Sequence, residues 1–247
     1  MKNKIAITVK NVTISYRDIK RFSIKKMMFS RNTLLKSNIF TAVKDVTFEV
    51  KKGEILGICG KNGSGKSTLL RGIAGIFSPD EGSIDLHGNS ISLLSIGVGF
   101  QKSLTGYENI YLSGMLLGFS KEEIAEKFQE IVEFSELGDF INKSVSSYSS
   151  GMYSKLAFSI TAILETDIIL IDEVFSVGDV KFKEKSYNKM KSLIDDDKRT
   201  VIIVSHSSKS LIDLCDRVIW IHDGKIKEIG ESKTVVNNYE EYMRSLD

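Results

Sequence analysis

The chain has little of several things, and each scarcity closes off an option. Its 247 residues hold one proline, Pro79, so no proline-rich linker divides it. It has two cysteines, Cys59 and Cys215, far apart and in no metal-ligand or redox spacing. That excludes a disulfide scaffold and reads as two reduced core residues of a cytosolic protein. No segment nears the run of about 18 apolar residues that a membrane span requires. The apolar stretch at residues 5–9 is broken by Thr8 and is too short for a secretory signal. Any role at a membrane therefore needs a membrane-embedded partner. Net charge is scarce too: 34 basic against 32 acidic residues leave +2, which makes no global case for nucleic acid. There is no internal repeat and no low-complexity tract.

What is present is ordinary globular material, 42% apolar and 27% charged, in a length that suits one domain with room for an inserted lobe. Residues 55–59, 168–171 and 201–204 are short continuous apolar runs, as expected of parallel strands covered on both faces. Residues 43–50 alternate instead, with Val46, Phe48 and Val50 on one face and a turn at Lys51, Lys52 and Gly53. Residues 120–137 predict a helix: Ser120 and Glu123 form a capping box, and Ile124, Phe128, Ile131 and Val132 share a face. This pattern predicts an α/β core with a helical lobe inserted at about residues 104–164. Residues from about 232 are polar and helix-like, with Tyr239 and Tyr242 as anchors. Residues 17–36 carry Arg17, Lys20, Arg21, Lys25, Lys26, Arg31 and Lys36 against Asp18 alone, with Phe22, Ile24, Met27, Met28 and Phe29 between them. The stretch reads equally as a solvated basic loop or as an interaction element.

Gly60, Lys61, Asn62, Gly63, Ser64, Gly65, Lys66 and Ser67 match G-x-x-x-x-G-K-[ST] in full, with a strand before and a helix pattern to Phe77 after, beginning at Ser67 and Thr68. The glycines let several N–H groups face one anion, and the following helix offers its positive end to the same point. Lys66 is placed to reach β- and γ-phosphates, and the Ser67 hydroxyl to ligate Mg²⁺. Further on, the apolar run 168–171 ends in Asp172 and Glu173. Acids at the carboxyl end of a central parallel strand lie where ligands bind in open α/β sheets. Asp172 is the expected Mg²⁺ partner, and Glu173 the base that polarises the attacking water. His206 follows the run 201–204 and can contact the γ-phosphate; His87 and His222 read as surface or turn residues.

Tyr148, Ser149, Ser150, Gly151 and Met152 stand at the start of a helix pattern that runs to Leu164. This resembles the signature motif of ABC ATPases, commonly Leu-Ser-Gly-Gly-Gln, and the order of motifs matches over essentially the whole chain. The variants at 148–152, at 104–109 (Leu-Thr-Gly-Tyr-Glu-Asn) and at 172–179 resemble the ATPases of polysaccharide and polyol-phosphate exporters: O-antigen, capsule and teichoic-acid transporters. Ser150 replaces a signature glycine and Met152 the glutamine, though a serine hydroxyl can still donate to phosphate.

The resemblance implies a RecA-like P-loop core with an antiparallel β part and the inserted lobe. It implies a nucleotide-binding domain over residues 1–231, with a basic insertion at about 17–40 and a short tail at 232–247. No further C-terminal domain of the kind some relatives carry is expected. Tyr16 would stack on adenine. Gln101 would join Ser67 and Asp172 at Mg²⁺. Ser149, Ser150, Gly151 and Met152 would touch ATP held by a second copy, and Asp179 would lie in the loop crossing between copies. One phosphate loop and one signature then imply a two-fold homodimer with two ATP molecules. A membrane permease is the implied partner, at the cytoplasmic face of the cell membrane, with residues 17–36 near it. An importer subunit or a soluble non-transport ABC ATPase are the alternatives.

Overall fold

The computed structural model describes residues 4–18, 38–94, 99–172, 179–194, 196 and 199–246. Two sheets form the frame. The smaller is antiparallel: β1 (Ile5–Asp18) lies between β2 (Asn38–Lys51) and β4 (Glu81–Asp85). β1 and β2 stay paired from Ile5 opposite Lys51 to Asp18 opposite Asn38. The chain between these far ends, which includes most of the basic stretch, lies outside the described residues.

The larger sheet runs β5 (Ile91–Leu93), β6 (Ile168–Asp172), β7 (Thr200–Val204), β3 (Ile55–Cys59), β8 (Arg217–His222), β9 (Lys225–Glu231). All neighbours are parallel except β8 and β9. The three apolar runs are thus β3, β6 and β7 at the sheet's centre, buried on both faces. Their side chains alternate. Ile168 and Leu170 join the core against the smaller sheet and α1 (Lys66–Ile73). Ile169 and Ile171 join the core on the opposite face, with Phe158, Phe182 and Leu211.

The predicted lobe has its own apolar core around Ile110, Ile124, Ile131, Leu156 and Ile160. Its helices are α2 (Gly106–Leu116), α3 (Lys121–Ser135) and α4 (Ser150–Ile163). The capping box at Ser120 and Glu123 is present, and Thr105 with Glu108 makes a second. Three helices follow: α5 (Val180–Ile194), α6 (Ser208–Leu214) and α7 (Ser232–Arg244). In α7, Val235 and Val236 are buried, and Tyr239 and Tyr242 pack on Trp220 with ring centroids at 5.5 and 5.2 Å.

Two local readings need adjusting. The helix expected to reach Phe77 stops at Ile73, because Gly75 turns left-handed (φ 72) and donates to the Gly72 carbonyl. His222 is not in a turn: it ends β8, half-buried, with its ring edge-on to Tyr242. His87 does sit in a turn at φ 50. Both cysteines are free and buried, and burial pushes their thiols up to about 12.

Candidate functional site

The carboxyl ends of β3, β6 and β7 lie side by side, since Val204 pairs with Ile58 on one flank and Asp172 on the other. Whatever follows these strands shares one edge of the sheet: the loop from Gly60, the carboxylate of Asp172, and His206. This is the crevice where open α/β sheets bind ligands.

The loop is clamped from below. The Gly224 N–H donates to the Ser64 carbonyl at 3.0 Å, and Lys44 N–H to the Gly224 carbonyl at 2.8 Å. Gly60 (φ 147) and Gly65 (φ 105) pass so close to other backbone that a Cβ would stand 2.2 Å from the Ile221 and Ala42 carbonyl oxygens respectively. Both positions therefore need glycine for conformation and for space. Lys66, only 5% exposed, donates to the Gly60 and Lys61 carbonyls at 2.8 and 3.0 Å, so the ammonium folds back over the loop's own curl. The Ser64 hydroxyl is buried with no hydrogen-bond partner among the described residues. Lys61 reaches toward the Tyr242 ring at 6.0 Å. Asn62 and Gly63 form the loop's exposed crest.

The Ser67 hydroxyl donates to Asp172 Oδ1 at 3.2 Å, which joins the first turn of α1 to the end of β6. Glu173, the next residue, lies outside the described residues, as does the chain to Gly178. His206 is exposed just past β7, between buried Ser205 and Ser207, whose hydroxyl caps α6. Gln101 is fixed through its backbone. Its N–H donates to Asn109 Oδ1 at 2.8 Å, and its carbonyl accepts from Asn109 Nδ2 at 3.1 Å. Asn109, 0% exposed, also donates to the Leu104 and Thr105 carbonyls.

Tyr16 shares a hydrogen bond with Thr68 Oγ1 at 3.0 Å and lies edge-on to Phe77, leaving its ring 39% exposed above the start of α1. Directly opposite on β2 is Phe40, 59% exposed. The signature residues form the head of α4. Ser149 caps it by accepting from Met152 N–H, and Ser150, Gly151 and Met152 fill its first turn. Asp179 Oδ2 lies 2.6 Å from Lys155 Nζ, and its Oδ1 accepts from Phe182 N–H. The hydrogen bond from Lys155, then that from Phe182, hold the Asp179 carboxyl down at about 2.

The family profile described as ABC transporter matches residues 43–176, more than half of the chain. The chain belongs to the ABC transporter family. As an ABC chain it is 42% identical over 212 residues to the O-antigen export system ATP-binding protein RfbB of Klebsiella pneumoniae, covering 85% of each. It is 42% identical over 244 residues to the teichoic acids export ATP-binding protein TagH of Levilactobacillus brevis, covering 99% of this chain and 67% of that one. Among solved structures, the ATP-binding cassette MJ0796, a dimer in a post-hydrolysis state bound to ADP and Pi, aligns with TM-score 0.68 and 25% identity. That match covers 92% of this chain and 98% of the other.

Two parts of the ABC frame escaped the reading of motifs. Asn109 entered only as one letter of a family-like stretch, yet its buried side chain organises the backbone on both sides of residues 101–105. A buried asparagine with every polar atom used is a structural hub, and its signal was the otherwise unexplained amide just after a capping box. Phe40 carried no signal, because its place opposite Tyr16 depends on the register of two long strands with several irregularities.

Proposed function

We propose that this chain is the ATP-hydrolysing subunit of an exporter that moves a cell-surface polysaccharide or polyol phosphate, working as a homodimer on a membrane permease. The observation that carries the chemistry is the meeting of Ser67 and Asp172 at 3.2 Å beside the buried Lys66. The relatives' names, both exporter ATP-binding proteins, support export over import.

The binding step follows from the loop. Its N–H groups and the head of α1 face an anion, and Lys66 exchanges carbonyl partners for phosphate oxygens, which are stronger acceptors. The Ser67 hydroxyl and the Asp172 carboxylate are hard oxygen donors in the pairing Mg²⁺ prefers. Among the described residues no group of three or more His, Cys, Asp or Glu could hold a metal. That sparse donor set suits an ion held mainly by substrate phosphates and water, with Ser67, Asp172 and Gln101 as the protein's share. When bound, it would neutralise charge building on the phosphates. Tyr16 stacks the base, Glu173 takes the proton of the attacking water, and His206 contacts the γ-phosphate.

Ser149, Ser150, Gly151 and Met152 of a second copy close the site, so ATP stabilises the paired state and hydrolysis releases it. No helix among the described residues is long and apolar enough to cross a membrane, so attachment runs through the permease, with residues 17–36 part of the contact.

Glu173→Gln is expected to bind ATP as the parent does, to stop turnover, and to accumulate as an ATP-bound dimer on size-exclusion chromatography. In cells the same change should leave the glycan inside the membrane. Unchanged hydrolysis removes Glu173 from its role, and normal surface glycan in a turnover-dead strain removes export.

A further inference from the structure

Lys155 lies in the second turn of α4, just past the signature residues, and is only 14% exposed. Its ammonium reaches two other helices. It is 2.6 Å from Asp179 at the head of α5, 3.5 Å from Glu136 Oε2 at the end of α3, and 5.0 Å from the centre of the Phe182 ring. Glu136 is itself turned left-handed (φ 57) past the end of α3, and its other oxygen takes Lys185 of α5 at 3.1 Å. Lys185 also donates to the Phe134 carbonyl at 3.0 Å. Beneath the charges, the rings of Phe134, Phe158 and Phe182 pack at 5.8 to 6.2 Å, one from each of α3, α4 and α5.

Two lysines and two carboxylates thus make a neutral four-member network. Isolated surface ion pairs contribute little, but shared, partly covered networks hold geometry. Here both signs are matched, and both lysines sit over aromatic faces. Burial pushes Glu136 up, but the hydrogen bonds and charges of Lys185 and Lys155 outweigh it and keep the carboxyl below its ordinary range. The hydrogen bond that Lys155 donates to Asp179 in turn holds the ammonium above its ordinary value. Glu136, Asp179 and Lys155 thus stay charged through neutral pH.

Asp172 is held by strand pairing, and Asp179 by Lys155 and the Phe182 N–H. The Asp179 carboxylate is engaged within its own chain. We propose that Lys155 is a positioning residue that locks the head of α5 to the signature helix, so that Asp179 and the signature surface offered to a second copy move as one body. This rests on the ATPase reading above, in which the head of α4 serves the second copy's nucleotide. It assigns Lys155 no contact with ATP; it acts through Asp179 and the orientation of α4.

The test uses the purified full chain with ATP and Mg²⁺, reading nucleotide affinity with a fluorescent ATP analogue, kcat, KM and thermal melting. Lys155→Met should keep nucleotide affinity and KM within about twofold while kcat falls between about twofold and thirtyfold, the range of network couplings. Lys155→Arg should restore at least half of kcat, because its fork reaches both carboxylates. Asp179→Asn, nearly isosteric, should lower kcat by the same factor. The double variant Lys155→Met with Asp179→Asn should be no worse than either single one. If Lys155→Met does not fold, Asp179→Asn with Lys155→Arg carries the comparison alone.

Wild-type kcat in Lys155→Met or in Asp179→Asn overturns the proposal, as does failure of Lys155→Arg to recover activity. A parent chain that neither binds nor hydrolyses ATP overturns the ATPase reading and this inference with it. Normal parent turnover with an indifferent Lys155 overturns the inference alone.

Discussion

Two glycine-bearing turns in this molecule ask for glycine for different reasons. At Gly60 and Gly65 the reason is inside the chain: positive φ, and carbonyl oxygens 2.2 Å from where a Cβ would stand. At Gly151, on the first turn of α4, the nearest atom to such a Cβ is Ser149 Oγ at 3.9 Å, and the backbone is ordinary helix. Alanine would serve α4 better there by roughly 1 kcal/mol. The phosphate loop is therefore a finished object, determined by its own fold. The head of α4 carries a residue choice that its own fold does not explain. Under the proposed function, the explanation is a nucleotide held by a second copy. A glycine whose absence of a side chain benefits nothing in its own chain is a pointer to a surface that must accept something close.

This contrast can be attacked with three substitutions. The largest effect is expected for Gly65→Ala, where overpacking against the Ala42 carbonyl adds to left-handed strain. Together these cost about 2–5 kcal/mol, read as a lowered urea midpoint. An unshifted midpoint would mean that the loop yields easily and is not the finished object described. Next, Lys66→Ala should weaken ATP binding roughly ten- to a hundredfold in a titration, the worth of a charge-assisted hydrogen bond of about 1.5–3 kcal/mol. Undiminished affinity would detach the lysine from the phosphates. The smallest change in stability, and of opposite sign, is expected for Gly151→Ala. The chain should gain about 0.5–1 kcal/mol and keep its ATP affinity, yet turn over more slowly. A variant that is both more stable and fully active would erase the distinction between the two turns.

How much of this was readable beforehand depends on distance along the chain. The central strands declared themselves as apolar runs because each is buried on both faces. The phosphate loop did so because its function needs eight contiguous residues. The cap at Ser120 was legible for the same reason: its partners are three residues apart. The end of α1 misled, since Ile76 and Phe77 continue an apolar pattern that Gly75 had already ended. What stayed hidden joins remote segments. Gly224 beneath Ser64, Phe40 beside Tyr16, and Asp179 on Lys155 are consequences of topology and register, which no local pattern encodes. Glu173 and most of the basic stretch, both expected from sequence, lie outside the described residues.

The bracing of the loop by Gly224 and Ile221 has a consequence for biogenesis. β3, which feeds the loop, sits in the sheet between β7 and β8, and both leave the ribosome long after it. The floor under Ser64 belongs to the turn between β8 and β9, which is later still. Such long-range pairing makes assembly slow relative to local helix formation, and the helical lobe can organise first. During synthesis the nascent chain thus carries the nucleotide motif well before it carries the nucleotide site. Competence to bind arrives as one of the last events of folding, once the strands that support the loop are in place.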